Sequence, residues 1–229
     1  MPMFYFDPTV ILLIPAIILS IWAQCKVQSG FRRYANVYSR SGMTGAQVAR
    51  KLLDANGIHD VGIQRVAGNL TDHYHPTKKM LYLSDSVYGE SSVAAISVAA
   101  HEVGHAIQHS VGYKPLSIRS MLVPAANIGS NASWILLILG LIFSIDPLVQ
   151  LGIVLFTCVV LFQVVTLPVE FNASSRALQQ VAYYGILSSD ELAGGKKVLS
   201  AAAWTYVAAA VMSILQLLRL LLIFAGNRE

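Results

Sequence analysis

The sequence predicts a mainly α-helical polytopic membrane protein with one small α+β domain. Three observations predict it. Hydrophobic residues make up 55% of the 229 and charged residues only 12%, whereas a soluble domain carries about a quarter charged residues. The apolar residues gather in blocks at the N-terminus, in the centre and at the C-terminus. Between the first two blocks lies one stretch of ordinary globular composition. These features exclude a chain solvated by water alone. The net charge of +4 is small and the basic residues form no stripe, so no nucleic-acid partner is expected. Cys25 and Cys158 show no paired spacing. They read as packing residues rather than as a disulfide or a cysteine metal site.

The first element is an uncharged run from about Pro8 to Ala23, long enough at ~1.5 Å per residue to cross most of a bilayer. Asp7 precedes it, and Lys26, Arg32 and Arg33 follow. A cleaved signal peptide would show the reverse charge order, so a retained anchor is expected, with residue 26 onward in the cytoplasm. Thr44 then caps a helix through Val48, Leu52 and Leu53 that Gly57 ends. Val61–Val66 and Met80–Leu83 read as two short strands, with a polar loop over Gly68–Pro76 between them. A second helix starts near Ser91 or Ser92 and runs to about His109, and Gly112 and Pro115 stop it.

Three further spans follow, near Met121–Phe143, Leu148–Leu167 and Ala201–Ala225, with a tight turn at Ser144–Pro147. Asn127, Ser130 and Asn131 in the second span are expected to face other helices, because polar groups are costly against lipid. Four spans put nearly every Lys and Arg on the cytoplasmic side, with Arg228 the exception. The chain thus divides into an N-terminal anchor (1–25), a cytoplasmic domain (26–115) and a membrane region (116–229). That region holds spans two to four, with a juxtamembrane helix bearing Glu170 between the last two.

The second helix of the domain ends in His101-Glu102-Val103-Gly104-His105. Residues four apart share one helix face, so both imidazoles can address a single ion, and neutral imidazole suits Zn²⁺. Glu102, one residue past the first ligand, stands beside the ion and can act as general base toward water. Small neighbours at Ala99, Ala100, Gly104 and Ala106 allow other chain to approach.

A catalytic zinc site needs a third protein ligand. The extended HExxHxxGxxH pattern fails, because Gln108 stands at its glycine. His109 lies about 6 Å further along the axis than His105 and off the face, and His59, His73 and His75 fall in loop-like sequence. Glu170 is the better candidate: it directly follows the third span, which returns the chain to the domain. The alternative is an interfacial Glu170 paired with Arg176. Pro168 is placed to open the helix that carries Glu170. Asp190 and Glu191 read as the start of a later surface helix.

The stretches Leu70–Pro76, Leu83–Tyr88, Ala99–Gln108 and Leu167–Ser174 resemble the YugP-like membrane zinc metallopeptidases, and nearly the whole chain takes part in the likeness. More distantly the chain is similar to the heat-shock and prenyl-protein membrane peptidases, in which a Glu-Phe-x-Ala-Asp helix supplies the third zinc ligand. That resemblance implies Glu170 as ligand. Ser174 stands where those relatives have the aspartate.

Together these readings predict a zincin-like domain in a membrane-integrated zinc endopeptidase, with one Zn²⁺ per chain. His101, His105 and Glu170 would hold the metal and Glu102 would be catalytic. Asn172, Arg176, Tyr183 and Tyr184 are candidates for stabilising the oxyanion or supporting the ligands. The expected substrates are membrane-associated or unfolded polypeptides, met on the cytoplasmic side of a bacterial plasma membrane along the edge of the small sheet. The rival is a zinc-binding scaffold or chaperone, for which Glu102 would be dispensable. A transporter lined by Asn127, Asn131 and Arg219 leaves the histidine motif unexplained. The Asn-x-Ser/Thr triplets at Asn69, Asn131 and Asn172 read as chance.

Overall fold

The computed structural model describes residues 8–226. Asp7 and Arg228, which entered the orientation argument, lie outside the described residues. Two compact units emerge. One comprises Gln24–Ser117 and Leu167–Trp204, and the other the remaining membrane-helix segments.

Among the described residues, four helices are long and apolar enough to cross a membrane: Pro8–Ala35, whose α-helical part is α1 (Ile14–Ala35), α5 (Lys114–Ile142), α6 (Asp146–Tyr183) and α7 (Ser189–Gly226). Their number matches the expectation, but two boundaries do not. Pro168 sits inside α6 rather than opening a new helix. A proline forfeits only one intrahelical N–H bond, and the span simply continues past it to carry Glu170. Asp190 and Glu191 begin α7, which runs on without a break into the fourth span. Glu191 is buried and accepts from the backbone N–H of Ser188 and of Arg40, both at 2.7 Å.

Within the membrane-helix unit, the apolar core holds Leu137, Val149, Ile153, Phe156, Val160 and Leu220. The helices α5 and α6 meet through small residues, as lipid-embedded helices do. A Cβ at Gly129 would stand 2.8 Å from the Leu155 carbonyl oxygen, and one at Gly140 would stand 2.6 Å from Val149. This packing stripe contains Ala126 and Ser133 and leaves Asn127, Ser130 and Asn131 exposed. The expectation that those three face neighbouring helices is therefore corrected: the small residues hold the seam and rotate the amides outward.

The other unit is built around α4 (Val93–Ser110). The helix α2 (Gly45–Ala55) starts with a full capping box, Thr44 and Gln47 each bonding the other's backbone N–H, and it buries Val48, Ala49, Leu52 and Leu53. Gly57, at φ +70°, turns the chain out of it. Strands β1 (Gly62–Val66) and β3 (Met80–Ser84) pair in parallel, and β2 (His73–His75) adds antiparallel to β3, giving the order β1-β3-β2. The strand β2 lies where a loop was expected. It spans only three residues, and the polar His73 and His75 flank the one residue that packs inward, Tyr74. A single-turn helix α3 (Asp85–Tyr88) leads into α4, whose Ser92 cap accepts from the Ala95 N–H. The core joins α2, β3, α3 and α4 to Ala177 and Val181 of α6 and to Leu199 of α7.

Candidate metal centre

Nearly every residue of α4 from Val93 to Gln108 is buried, so the helix is enclosed rather than laid on a surface. Such enclosure requires narrow side chains wherever another helix crosses. At Gly104 a Cβ would fall 2.6 Å from the Ala173 carbonyl oxygen of α6. This close approach brings Glu170, one turn before Ala173, up to the two histidines.

The structure brings His101, His105 and Glu170 together, with their ligand atoms all within 4.8 Å of one another. One carboxylate oxygen, Oε2 of Glu170, lies 3.2 Å from His101 Nε2 and 3.5 Å from His105 Nε2. Ligands on a tetrahedral zinc with arms of ~2.0–2.1 Å stand about 3.3 Å apart, so this spacing fits the ion. The donor set of two imidazoles and one carboxylate also leaves a fourth position open, as catalytic zinc sites do. Glu170 is only 2% exposed, and a carboxylate so placed needs a cationic partner.

Each ring is held from behind. His105 Nδ1 lies 3.1 Å from Gln108 Oε1, and His101 Nδ1 lies 3.1 Å from the Ser174 hydroxyl. Gln108 is fully buried, and its amide nitrogen donates to the Val169 carbonyl at 2.7 Å and to Asn172 Oδ1 at 3.1 Å. Arg176 donates from Nε to the same Asn172 oxygen at 2.8 Å.

Burial lifts the pKa of Glu102 above the ordinary carboxylate value, while His101 and His105 pull it the other way. For His105 burial alone would lower the pKa. The carboxylates of Glu170 and Glu102 and the Gln108 contact outweigh it and leave the ring more basic than usual. Asp72 is likewise raised by burial, against hydrogen bonds from the Ser84 N–H and hydroxyl.

The remaining histidines are engaged elsewhere. His59 meets Asp54, His73 stacks on Tyr82, His75 accepts from the Lys78 N–H, and His109 pairs with the Tyr74 hydroxyl at 2.8 Å. Tyr183 is exposed and packs edge-on against Tyr184. Thirteen residues of helix put it about 20 Å beyond Glu170 along the axis. The contacts of Gln108 with His105, Val169 and Asn172 are not among the sequence expectations. The available signal was a polar residue three positions after His105 on an otherwise apolar helix.

The fold and site define a class: a chain with four helices able to cross a membrane that carries a buried His-His-Glu cluster of metal-ligand geometry. Over residues 9–225 the chain matches, and belongs to, the family described as "Putative neutral zinc metallopeptidase". It is similar to a curated protein of Bacillus subtilis (strain 168) described as "Putative membrane protease YugP". The two are 49% identical over 220 residues, covering 96% of this chain and 98% of the relative. No solved structure matches the chain.

Proposed function

We propose that the chain is a membrane-integrated zinc endopeptidase with a zincin-like catalytic unit. His101, His105 and Glu170 hold one zinc ion, and Glu102 is the general base. The observation that carries this reading is the convergence of both histidine Nε2 atoms on one buried Glu170 oxygen, with the buried Glu102 next in the chain to His101. Membership in the family and the likeness to a relative described as a membrane protease support it.

Zinc bound there supplies Lewis acidity, which polarises a peptide carbonyl and brings the pKa of water to about 7. Glu102 accepts the proton of the attacking water and delivers it to the departing amine. Its burial favours the first of these steps, since a carboxylate of raised pKa is a stronger base toward that water. The sheet order leaves β2 at an edge, and α4 packs against that strand. An extended polypeptide can add to β2 through main-chain hydrogen bonds. The distribution of Lys and Arg in the sequence supports a cytoplasmic site, and the membrane helices favour substrates that are membrane-associated or unfolded proteins.

The test is cleavage of an unfolded protein by detergent-purified wild type and by Glu102→Gln, each with its zinc content measured. Glu102 takes no part in holding the ion, so the variant should retain zinc and lose about 10²–10⁴-fold in activity. A zinc-loaded Glu102→Gln chain that cuts as fast as wild type removes Glu102 from the mechanism.

A further inference from the structure

We propose that Gln108 is a positioning residue for the metal centre. Its amide oxygen locks His105 in the tautomer that turns Nε2 toward the ion site, and its amide nitrogen, bonded to the helix bearing Glu170, fixes which end of the amide faces the ring. The inference rests on reading His101, His105 and Glu170 as the zinc ligands.

The orientation of Gln108 follows from which groups can donate. Its Nε2 lies 2.7 Å from the Val169 carbonyl oxygen. A backbone carbonyl only accepts, so this end of the amide must be the NH₂ group. The other end, Oε1, therefore faces His105 Nδ1 at 3.1 Å. An amide oxygen also only accepts, so Nδ1 carries a proton whether the ring is neutral or charged. In the neutral ring the lone pair then sits on Nε2, the atom that faces Glu170 at 3.5 Å. The second NH₂ proton goes to Asn172 Oδ1 at 3.1 Å, and Arg176 donates to that oxygen as well. Two donors on one oxygen fix which way Asn172 points. The direction of every bond from Arg176 to His105 is thus set.

The other histidine lacks such a lock. His101 Nδ1 faces the Ser174 hydroxyl, which can donate or accept. Gln108 also bonds the carbonyl of Val169, the residue immediately before Glu170. One buried side chain therefore couples the ring of one candidate ligand to the backbone of another across two helices. Outer-sphere partners of this kind orient ligands and set metal affinity.

The experiment measures zinc dissociation constants by competition with a chromophoric chelator, using the full chain purified in detergent and checked for fold by circular dichroism. Gln108→Met removes all three bonds and should weaken zinc binding about 10–100-fold. Gln108→Glu, as a carboxylate, keeps an acceptor for His105 but cannot donate to Val169 or Asn172, and its loss should stay below the about 10-fold lower end of that range. A purely structural role predicts that both variants fail alike, because each loses the ties to α6. Equal losses in the two variants, or wild-type affinity in a folded Gln108→Met chain, would overturn the proposal. Should the methionine variant not fold, Gln108→Glu decides alone: retained affinity supports the role, and a loss of about tenfold or more refutes it. If the wild-type chain takes up no zinc that His105→Ala abolishes, the metal reading itself falls and this proposal with it.

Discussion

Gly104 and Ala173 meet backbone to backbone: a Cβ on residue 104 would stand 2.6 Å from the Ala173 carbonyl oxygen and 3.2 Å from its Cα. No side chain can yield there, so any added atom must move one of the two helices. The separation of α4 from α6 also sets the 3.2 and 3.5 Å contacts between Glu170 and the histidines. Gly104→Ala should therefore widen the site. Overpacking of this kind costs about 1–3 kcal/mol, and zinc affinity should fall about tenfold or more if that strain is borne by the metal site. Chelator competition on the folded variant checks it, and an unchanged dissociation constant would show that the helices part without disturbing the ligands.

Glu170→Gln preserves the volume of the side chain and removes its charge. A carboxamide is a weak zinc ligand, and it would leave the two histidines as the remaining strong donors. Zinc affinity should fall by more than the about 10–100-fold typical of changes outside the coordination sphere, with cleavage lost in parallel. Zinc content and activity equal to wild type would eliminate Glu170 as the third ligand.

The placement of the histidine pair and Glu102 on one helix was legible because it is local: a four-residue spacing on a helix needs no knowledge of the rest of the fold. The approach of Glu170 was legible from topology, since a span that returns the chain must bring back whatever follows it. Gln108 was not, because its partners Val169 and Asn172 lie on a helix whose distance from α4 is set by Gly104. The strand β2 escaped because it is short and offers only Tyr74 to the core. Pro168 misled because proline can open a helix or stand within one, and composition does not say which. The outward turn of Asn127 and Asn131 depends on the small-residue seam at Gly129 and Gly140, which hydropathy averages conceal.

Ser174→Asp should strengthen zinc binding. The Ser174 hydroxyl lies 3.1 Å from His101 Nδ1 and leaves that ring free to exchange tautomers. A carboxylate accepts only, so it would fix the proton on Nδ1 and make Nε2 more basic. The expected gain is up to about tenfold in affinity, read by the same competition assay, and it should disappear in a His101→Ala background. A weaker-binding Ser174→Asp chain would show that the added charge disturbs the site more than the orientation helps.

The benefit of zinc to stability should grow with pH. Free of metal, folded His105 is more basic than its ordinary value of 6.5, chiefly because the Glu170 carboxylate outweighs its burial. A group whose folded pKa is raised contributes stability that is complete below the unfolded pKa, about 6.5 for histidine. That contribution is lost as pH rises through the folded value. Zinc needs the same nitrogen deprotonated, so below that value a proton must leave before the ion can bind. The metal-free chain thus loses support on going from acid to mildly alkaline pH, over the range in which zinc binds more tightly. The difference in Tm between zinc-loaded and metal-free protein should therefore widen from about pH 6 to pH 8. In His105→Ala the difference should be small at every pH, because that chain has lost a zinc ligand together with the competing proton site. Thermal melts of both forms across that range are the check, and a difference that shrinks or stays flat with rising pH would mean that His105 is neither the proton site nor the metal ligand it is taken to be.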